Sequence, residues 1–275
     1  MSNFWQRLIT GTIFITVLIG AIVLGGWFMH LIFGLVIFFG LIEFYTLFDK
    51  TESKPQKVLG TIIGTSIYTL SILAIYFGEL FGIIAIAVCL GSFVIIAISE
   101  LYRNKKKPIE NIAITIVGII YLVIPFILLN QLSTRFEVNS FVHYTNPVLA
   151  IFILIWSNDT LAYCAGRLFG KHKLFERISP KKTWEGFIGG VVFSIVAGII
   201  LAYFLEDSYL KYVSYALVVS IIGTLGDLVE SMLKRSVDVK DSGSIFPGHG
   251  GILDRFDAVI FVVPIIFFLE KFIFV

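Results

Sequence analysis

The chain has 275 residues, of which 57% are hydrophobic and 15% charged, with a mean hydropathy of +0.94 and a formal net charge of +2. That apolar content is beyond what a soluble globular domain carries, and it calls for lipid as the solvent. The small net charge says little about partners and gives no sign of nucleic-acid binding; in a membrane protein, the placement of the positive residues is what matters.

A helix that crosses a bilayer needs about 20 mainly apolar residues. Runs that qualify lie at 8–27, 28–48, 58–77, 80–99, 109–130, 147–168, 187–206, 212–232 and 257–274, so about nine spans are expected. The expected fold class is an all-α, polytopic integral membrane protein, because continuous apolar runs exclude the alternating pattern of a membrane β-barrel. The opening apolar stretch is longer than a signal-peptide core and has no small-residue cleavage site, so the first span is expected to stay. Its joint with the second is marked only by Gly25-Gly26 and His30. Residues 1–146 read as an N-terminal region of about five spans, and 147–275 as a catalytic region of about four spans with polar loops.

Cys89 and Cys164 fall within expected spans and read as buried, inert thiols. Gly60-x-x-x-Gly64, Gly78-x-x-x-Gly82 and Gly186-x-x-x-Gly190 are spacings that let helices approach closely and hint at packing or a dimer. There is no internal repeat.

Alternate loops differ in charge. Arg7, the clusters at 50–57 and 103–107, and the loops after the sixth and eighth spans together hold 18 of the 21 Lys and Arg; the opposite side holds only Arg135, Lys211 and Lys271. The positive-inside rule then places the N-terminus and the late polar loops in the cytoplasm. The run Arg103 to Lys107 contains no acid or glycine and reads as a topology anchor or anionic-lipid contact.

The late loops are different. Between Asp227 and Asp257, 31 residues hold five Asp, one Glu, two Lys, two Arg and one His. An ionisable residue within a membrane helix costs about 2.5–3.5 kcal/mol at the bilayer centre, so such residues face protein or water and serve function. Helical periodicity puts Asp227, Glu230 and Lys234 on one face, where Glu230 and Lys234 could simply pair. Asp254 and Asp257, three residues apart at the start of the last span, would repel by about 3 kcal/mol at an effective dielectric of 20. A divalent cation between them, with Asp227 as a third oxygen ligand, answers that repulsion better than Arg255, which points elsewhere on a helix. An acidic helix start explains one aspartate but not three. All-oxygen coordination favours Mg²⁺, or alternatively Mn²⁺, over zinc.

The segment Lys240 to Gly251 adds glycines on both sides of His249, where backbone amides could approach an anion, and Lys234, Arg235, Lys240 and Arg255 supply cations. A turn that His249 merely caps is the plainer alternative. Ser157-Asn158-Asp159-Thr160 places polar groups inside the sixth span, and Arg167 to Lys173 extends a basic stripe toward Ser179-Pro180-Lys181-Lys182-Thr183-Trp184-Glu185-Gly186. Ser179 followed by Pro180 is expected to open a helix, with Lys181 and Lys182 set to meet anionic headgroups or nucleotide phosphates. Gly166-x-x-x-Gly170-Lys171-His172 is one residue short of a P-loop, and neither a zincin nor a nucleophile-elbow motif occurs.

The run from Ser231 to Asp257, with Ser231, Lys234-Arg235, Lys240-Asp241, Pro247, His249-Gly250-Gly251, Asp254-Arg255 and Asp257 in register, resembles the signature of the CDP-diacylglycerol synthases, or phosphatidate cytidylyltransferases. Asn158 to Lys171 and Ser179 to Gly186 are similar to the family's other polar motifs; the first five spans match only in being hydrophobic. The resemblance implies a homodimeric membrane enzyme that converts CTP and phosphatidate to CDP-diacylglycerol and pyrophosphate with Mg²⁺. It assigns the metal to Asp227, Asp254 and Asp257, with a monovalent cation such as K⁺ nearby. Catalysis falls to those three and Lys234. Substrate contacts fall to Asn158, Asp159, Lys171, Ser179, Lys181, Lys182, Thr183, Glu185, Glu230, Arg235, Lys240, Asp241, His249, Gly250, Gly251 and Arg255. The implied location is the inner (plasma) membrane, with the site facing the cytoplasm. The rival reading is a cation-coupled transporter that uses intramembrane carboxylates.

Overall fold

The computed structural model describes residues 3–133, 147–243, 245 and 250–274, the side chains of residues 3, 4 and 7 excepted. In order come α1 (Asn3–Leu24), α2 (Gly26–Thr46), α3 (Lys57–Phe77), α4 (Glu79–Arg103), α5 (Pro108–Ser133), α6 (Pro147–Phe169), strands β1 (Lys173–Phe175) and β2 (Ser179–Thr183), α7 (Trp184–Leu205), α8 (Tyr209–Val218), α9 (Thr224–Ser236) and α10 (Leu253–Phe272). A π turn, Val219–Gly223, runs α8 into α9 without a break.

Among the described residues, seven helical runs are long and apolar enough to cross a membrane: Gly26–Lys50, Lys57–Phe77, Glu79–Arg103, Pro108–Ser133, Pro147–Phe169, Trp184–Leu205 and Tyr209–Ser236. The chain is an all-α polytopic membrane protein. The first and last expected spans also coincide with helices, but the apolar part of α1 is only Leu8–Leu24. In α10, Asp254, Arg255, Asp257, Glu270 and Lys271 dilute the apolar sequence. Protein buries just 17% of the most apolar window of α4, so its many outward-facing Leu, Ile and Phe side chains require lipid around them. Between α1 and α2 the chain turns on Gly25 and Gly26, both at positive φ (62° and 49°), a backbone state that costs other residues but not glycine.

The chain folds as two compact units, Met1–Asn130 with Ser236–Arg255 and Gln131–Arg235 with Phe256–Val275. Lipid tails are as apolar as leucine, so helices in a bilayer associate through close packing and polar bonds rather than through the hydrophobic effect. Both units follow that rule. In the first, Met29, Phe33, Ile37 and Leu41 form a fully buried stripe along α2. Gly60 and Gly118 leave room for the Tyr45 ring, and Gly64 for Leu41; a methyl group at Gly64 would lie 2.6 Å from Leu41 Cδ1. Tyr45 Oη donates to the Thr115 carbonyl at 2.7 Å. The Gly60/Gly64 spacing is therefore used inside the chain, whereas Gly78 serves a turn at φ 100° before α4, where a methyl group would meet nothing within 4 Å.

Two buried polar clusters tie the helices of this unit together. His30 Nδ1 lies 2.5 Å from Asn130 Oδ1, and Asn130 Nδ2 donates to Tyr68 Oη at 3.0 Å. Elsewhere Gln56 Nε2, Asn111 Nδ2 and Arg103 each donate to the Glu100 carboxylate at 2.7 Å.

In the second unit, α6 and α7 meet along a glycine face: a methyl group at Gly190 would stand 2.8 Å from Asn158 Oδ1, and one at Gly186 2.8 Å from the Ala162 carbonyl. Gly198 likewise admits the Tyr212 carbonyl of α8. Phe261 of α10 occupies the space that Gly226 leaves on α9, and Phe152 of α6 meets Phe256 edge-on at 6.3 Å. Lys211 pairs with Glu270 at 2.7 Å, and Tyr215 donates to the same carboxylate.

Two expectations are overturned. Ser179 does not open a helix; it begins β2, which pairs antiparallel with β1 in the register Lys173↔Thr183 and Phe175↔Ser179. Pro180, lacking an N–H, is tolerated in so short an edge hairpin. The helix starts at Trp184, with Thr183 as its cap: Gly186 N donates to Thr183 Oγ1 at 3.2 Å. The cysteines are not buried either. Cys89 and Cys164 are both exposed on helices that span the membrane, since α4 and α6 turn those faces away from the protein.

Candidate functional site

The charge of the second unit gathers where α9 begins. Asp227 and Glu230 stand one helical turn apart on α9, as their spacing requires, and Asp257 comes from the first turns of α10. Carboxylate oxygens of all three lie within 4.8 Å of one another. At that distance each pair of charges repels by about 3 kcal/mol at an effective dielectric of 20. Two lysines offset part of it. Lys182, delivered by β2, bonds to Asp227 Oδ2, and Lys234 reaches Glu230 Oε2 at 2.5 Å. Ser231 Oγ adds a bond to Asp227 Oδ1 at 3.3 Å, and Asp257 Oδ1 accepts its neighbour's amide from Ala258 at 2.7 Å.

A fourth acid is close. Asp159 of α6 lies within electrostatic reach of Asp227, Asp257 and Lys182. Its neighbour Asn158 is buried, donating to Asp159 Oδ1 and accepting from Ser194 Oγ, each at 3.4 Å. Among the described residues, three carboxylates and a fourth nearby, set against Lys182 and Lys234, leave an excess of negative charge in an all-oxygen donor set. That set fits a hard divalent cation of the magnesium type.

The hairpin is anchored beside this cluster. His172 Nδ1 lies 2.6 Å from Glu185 Oε1, the His172 amide donates to the same carboxylate at 3.2 Å, and Trp184 N donates to the His172 carbonyl. This fixes the strand that carries Lys182 to the start of α7. Lys171 and Lys181 remain exposed, as cations that can meet an anionic ligand should.

Other expected site residues belong to the first unit. Asp254 Oδ2 accepts the amides of Gly251 at 2.8 Å and Ser242 at 3.1 Å. The amides of Ile252 and Leu253 go to Glu43, at 3.0 and 2.9 Å. These four amides, from Ser242, Gly251, Ile252 and Leu253, are thus directed at carboxylates of the chain itself. Gly250, at φ 85°, and Gly251 have no room for a side chain, because a methyl group would run into Asp254 and Glu43 respectively. Lys240, Asp241 and Arg255 are exposed here, as is Arg235 at the end of α9. His249 lies outside the described residues. Glu43 escaped the sequence reading; the only signal was an isolated carboxylate in the apolar run 28–48.

Residues 5–273 match the model of the cytidylyltransferase family. Proteins named phosphatidate cytidylyltransferase from Staphylococcus saprophyticus and Staphylococcus haemolyticus are each 41% identical to the chain over 177 residues, 64% of this chain and 65% of theirs. One of the same name from Bacillus subtilis is 53% identical over 119 residues, 42% of this chain and 44% of its own. The chain thus spans just under two thirds of the length of the Staphylococcus relatives.

Proposed function

The chain belongs to the cytidylyltransferase family, and on that premise we propose that it transfers the cytidylyl group of CTP to phosphatidate, giving CDP-diacylglycerol and pyrophosphate. The observation that carries this reading is the convergence of Asp227, Glu230 and Asp257 beside Lys182 in a chain that lives in lipid. One substrate is a membrane lipid and the other is a highly charged nucleotide. A site for both must lie at a membrane helix and neutralise phosphate.

In the reaction, an oxygen of the lipid phosphate bonds to the α-phosphorus of CTP while the bond from that phosphorus to the bridging oxygen breaks. Pyrophosphate leaves with that electron pair. Phosphoryl chemistry of this kind needs little covalent help and much alignment and charge stabilisation. Asp227 and Asp257, with Glu230 alongside, would hold Mg²⁺, which when bound neutralises phosphate charge and orients the attacking and leaving oxygens. The family signature adds Asp254 to the metal set. Lys182, already among the carboxylates, is placed to contact a phosphate oxygen, and the exposed Lys171 and Lys181 draw anionic substrate toward it. Lys234 holds Glu230 in place.

The excess of Lys and Arg in alternate loops supports a site that faces the cytoplasm at the plasma membrane, and the protein is taken to work there as a homodimer. The test is direct. Purified protein in detergent, given CTP, phosphatidate and Mg²⁺, is expected to release pyrophosphate and form CDP-diacylglycerol, with turnover lost on chelation and restored by Mg²⁺. Ion flux in proteoliposomes without any nucleotide turnover would instead favour the transporter.

A further inference from the structure

Glu43 sits in α2, in sequence far from every motif above, yet it is 5% exposed and fully engaged. Oε1 accepts from Ser242 Oγ at 2.5 Å and from Leu253 N at 2.9 Å; Oε2 accepts from Ile252 N at 3.0 Å. Ile252 and Leu253 lead into α10, where the first amides of a helix have no partner of their own and favour a negative charge. Gly243 and Gly251 both keep the space around the carboxylate open, since a methyl group at either would collide with it. A buried acid in a membrane helix is retained only where it has a use. Here the use is visible: Ser242 gives its hydroxyl to Glu43 and its amide to Asp254.

We infer that Glu43 is a positioning residue for cytidylyl transfer, holding Ser242 and the Ile252–Leu253 amides so that the turn from Gly250 to Asp254 is set before substrate arrives. The inference rests on the transfer reading above. A carboxylate is the side chain of this length that can accept all three donors at once. Glutamine keeps the shape but turns an NH₂ against at least one of them. Asp254 stays on the chain in such a variant, but the turn beneath it loosens. Loss of a partner that orients a ligating carboxylate lowers metal affinity or activity by about 10- to 100-fold.

The experiment compares wild type, Glu43→Gln and Ser242→Ala, each full length in detergent. It reads pyrophosphate release against CTP and Mg²⁺ concentration, amide hydrogen exchange over 250–256, and the thermal unfolding temperature. For Glu43→Gln the expected result is a fall in turnover, or a rise in the Mg²⁺ needed for half-maximal rate, of about tenfold. Exchange should quicken over 250–256 while the unfolding temperature stays within a few degrees of wild type. Ser242→Ala, which leaves both helix amides bonded, should shift the same readouts in the same direction by less. Wild-type kinetics in Glu43→Gln overturn the inference, as does a loss of activity explained by global unfolding with unchanged exchange at 250–256 in the folded fraction. If the wild-type protein itself releases no pyrophosphate, the transfer reading fails instead.

Discussion

In the first unit, the buried Glu100 is met by Gln56, Asn111 and Arg103, three donors for one carboxylate. In the second, Asp227, Glu230 and Asp257 crowd one another, with Lys182 and Lys234 on two of the three. In the first arrangement the carboxylate is met by donors on both oxygens, and these bonds fasten the start of α3, α4 and α5 to one another. The second is stable only because the fold forces like charges together, and it is relieved by whatever positive charge enters. Burial alone therefore does not tell an acid poised for a cation from one that braces the backbone around it; the balance of donors does.

The sharpest way to break the contrast is Asp257→Asn. It should lower pyrophosphate release by about a thousandfold, the scale of a lost metal-centred charge contribution. In metal-free buffer the same change should raise the thermal unfolding temperature, since one of three mutually repelling charges is gone. Glu100→Ala should do the reverse. Removing the acceptor strands Arg103 and two amides, and stability should fall by about 3 kcal/mol in thermal or denaturant unfolding, with turnover per folded molecule little changed. Lys182→Ala tests whether the lysine on β2 serves substrate as well as Asp227. A drop of about a hundredfold in kcat/KM for CTP is expected, the scale of one lost charge-stabilising donor. Gly190→Ala is the mildest. Its new methyl group would press on Asn158 Oδ1 and Ala162 Cβ, lowering stability by about 1–3 kcal/mol as overpacking does, with a modest secondary effect on rate.

Much of this could be read along the chain. Hydropathy located the helices, because crossing a bilayer is a demand each segment meets by itself. Helical spacing put Asp227, Glu230 and Lys234 on one face, and the Glu230–Lys234 pair forms at that spacing. The errors came where a local pattern had two outcomes. Ser179-Pro180 suits a helix start, but pairing between β1 and β2 moved that start to Trp184. Cys89 and Cys164 lie in apolar helices, and only the packing of neighbouring helices tells a protein-facing position from a lipid-facing one.

What the amino-acid order determined unaided was the class of solvent, the helices, and the two stretches where charge collects, all properties of segments shorter than about 30 residues. Tertiary structure alone decided the near neighbours of each acid: within the second unit Glu230 stands with Asp227 and Asp257, and within the first Asp254 accepts the amides of Gly251 and Ser242. It also decided that Glu43 holds residues 199 to 210 positions away. The reason is physical. A buried carboxylate takes its meaning from the donors around it, and those donors are assembled by packing between helices, which no local pattern encodes.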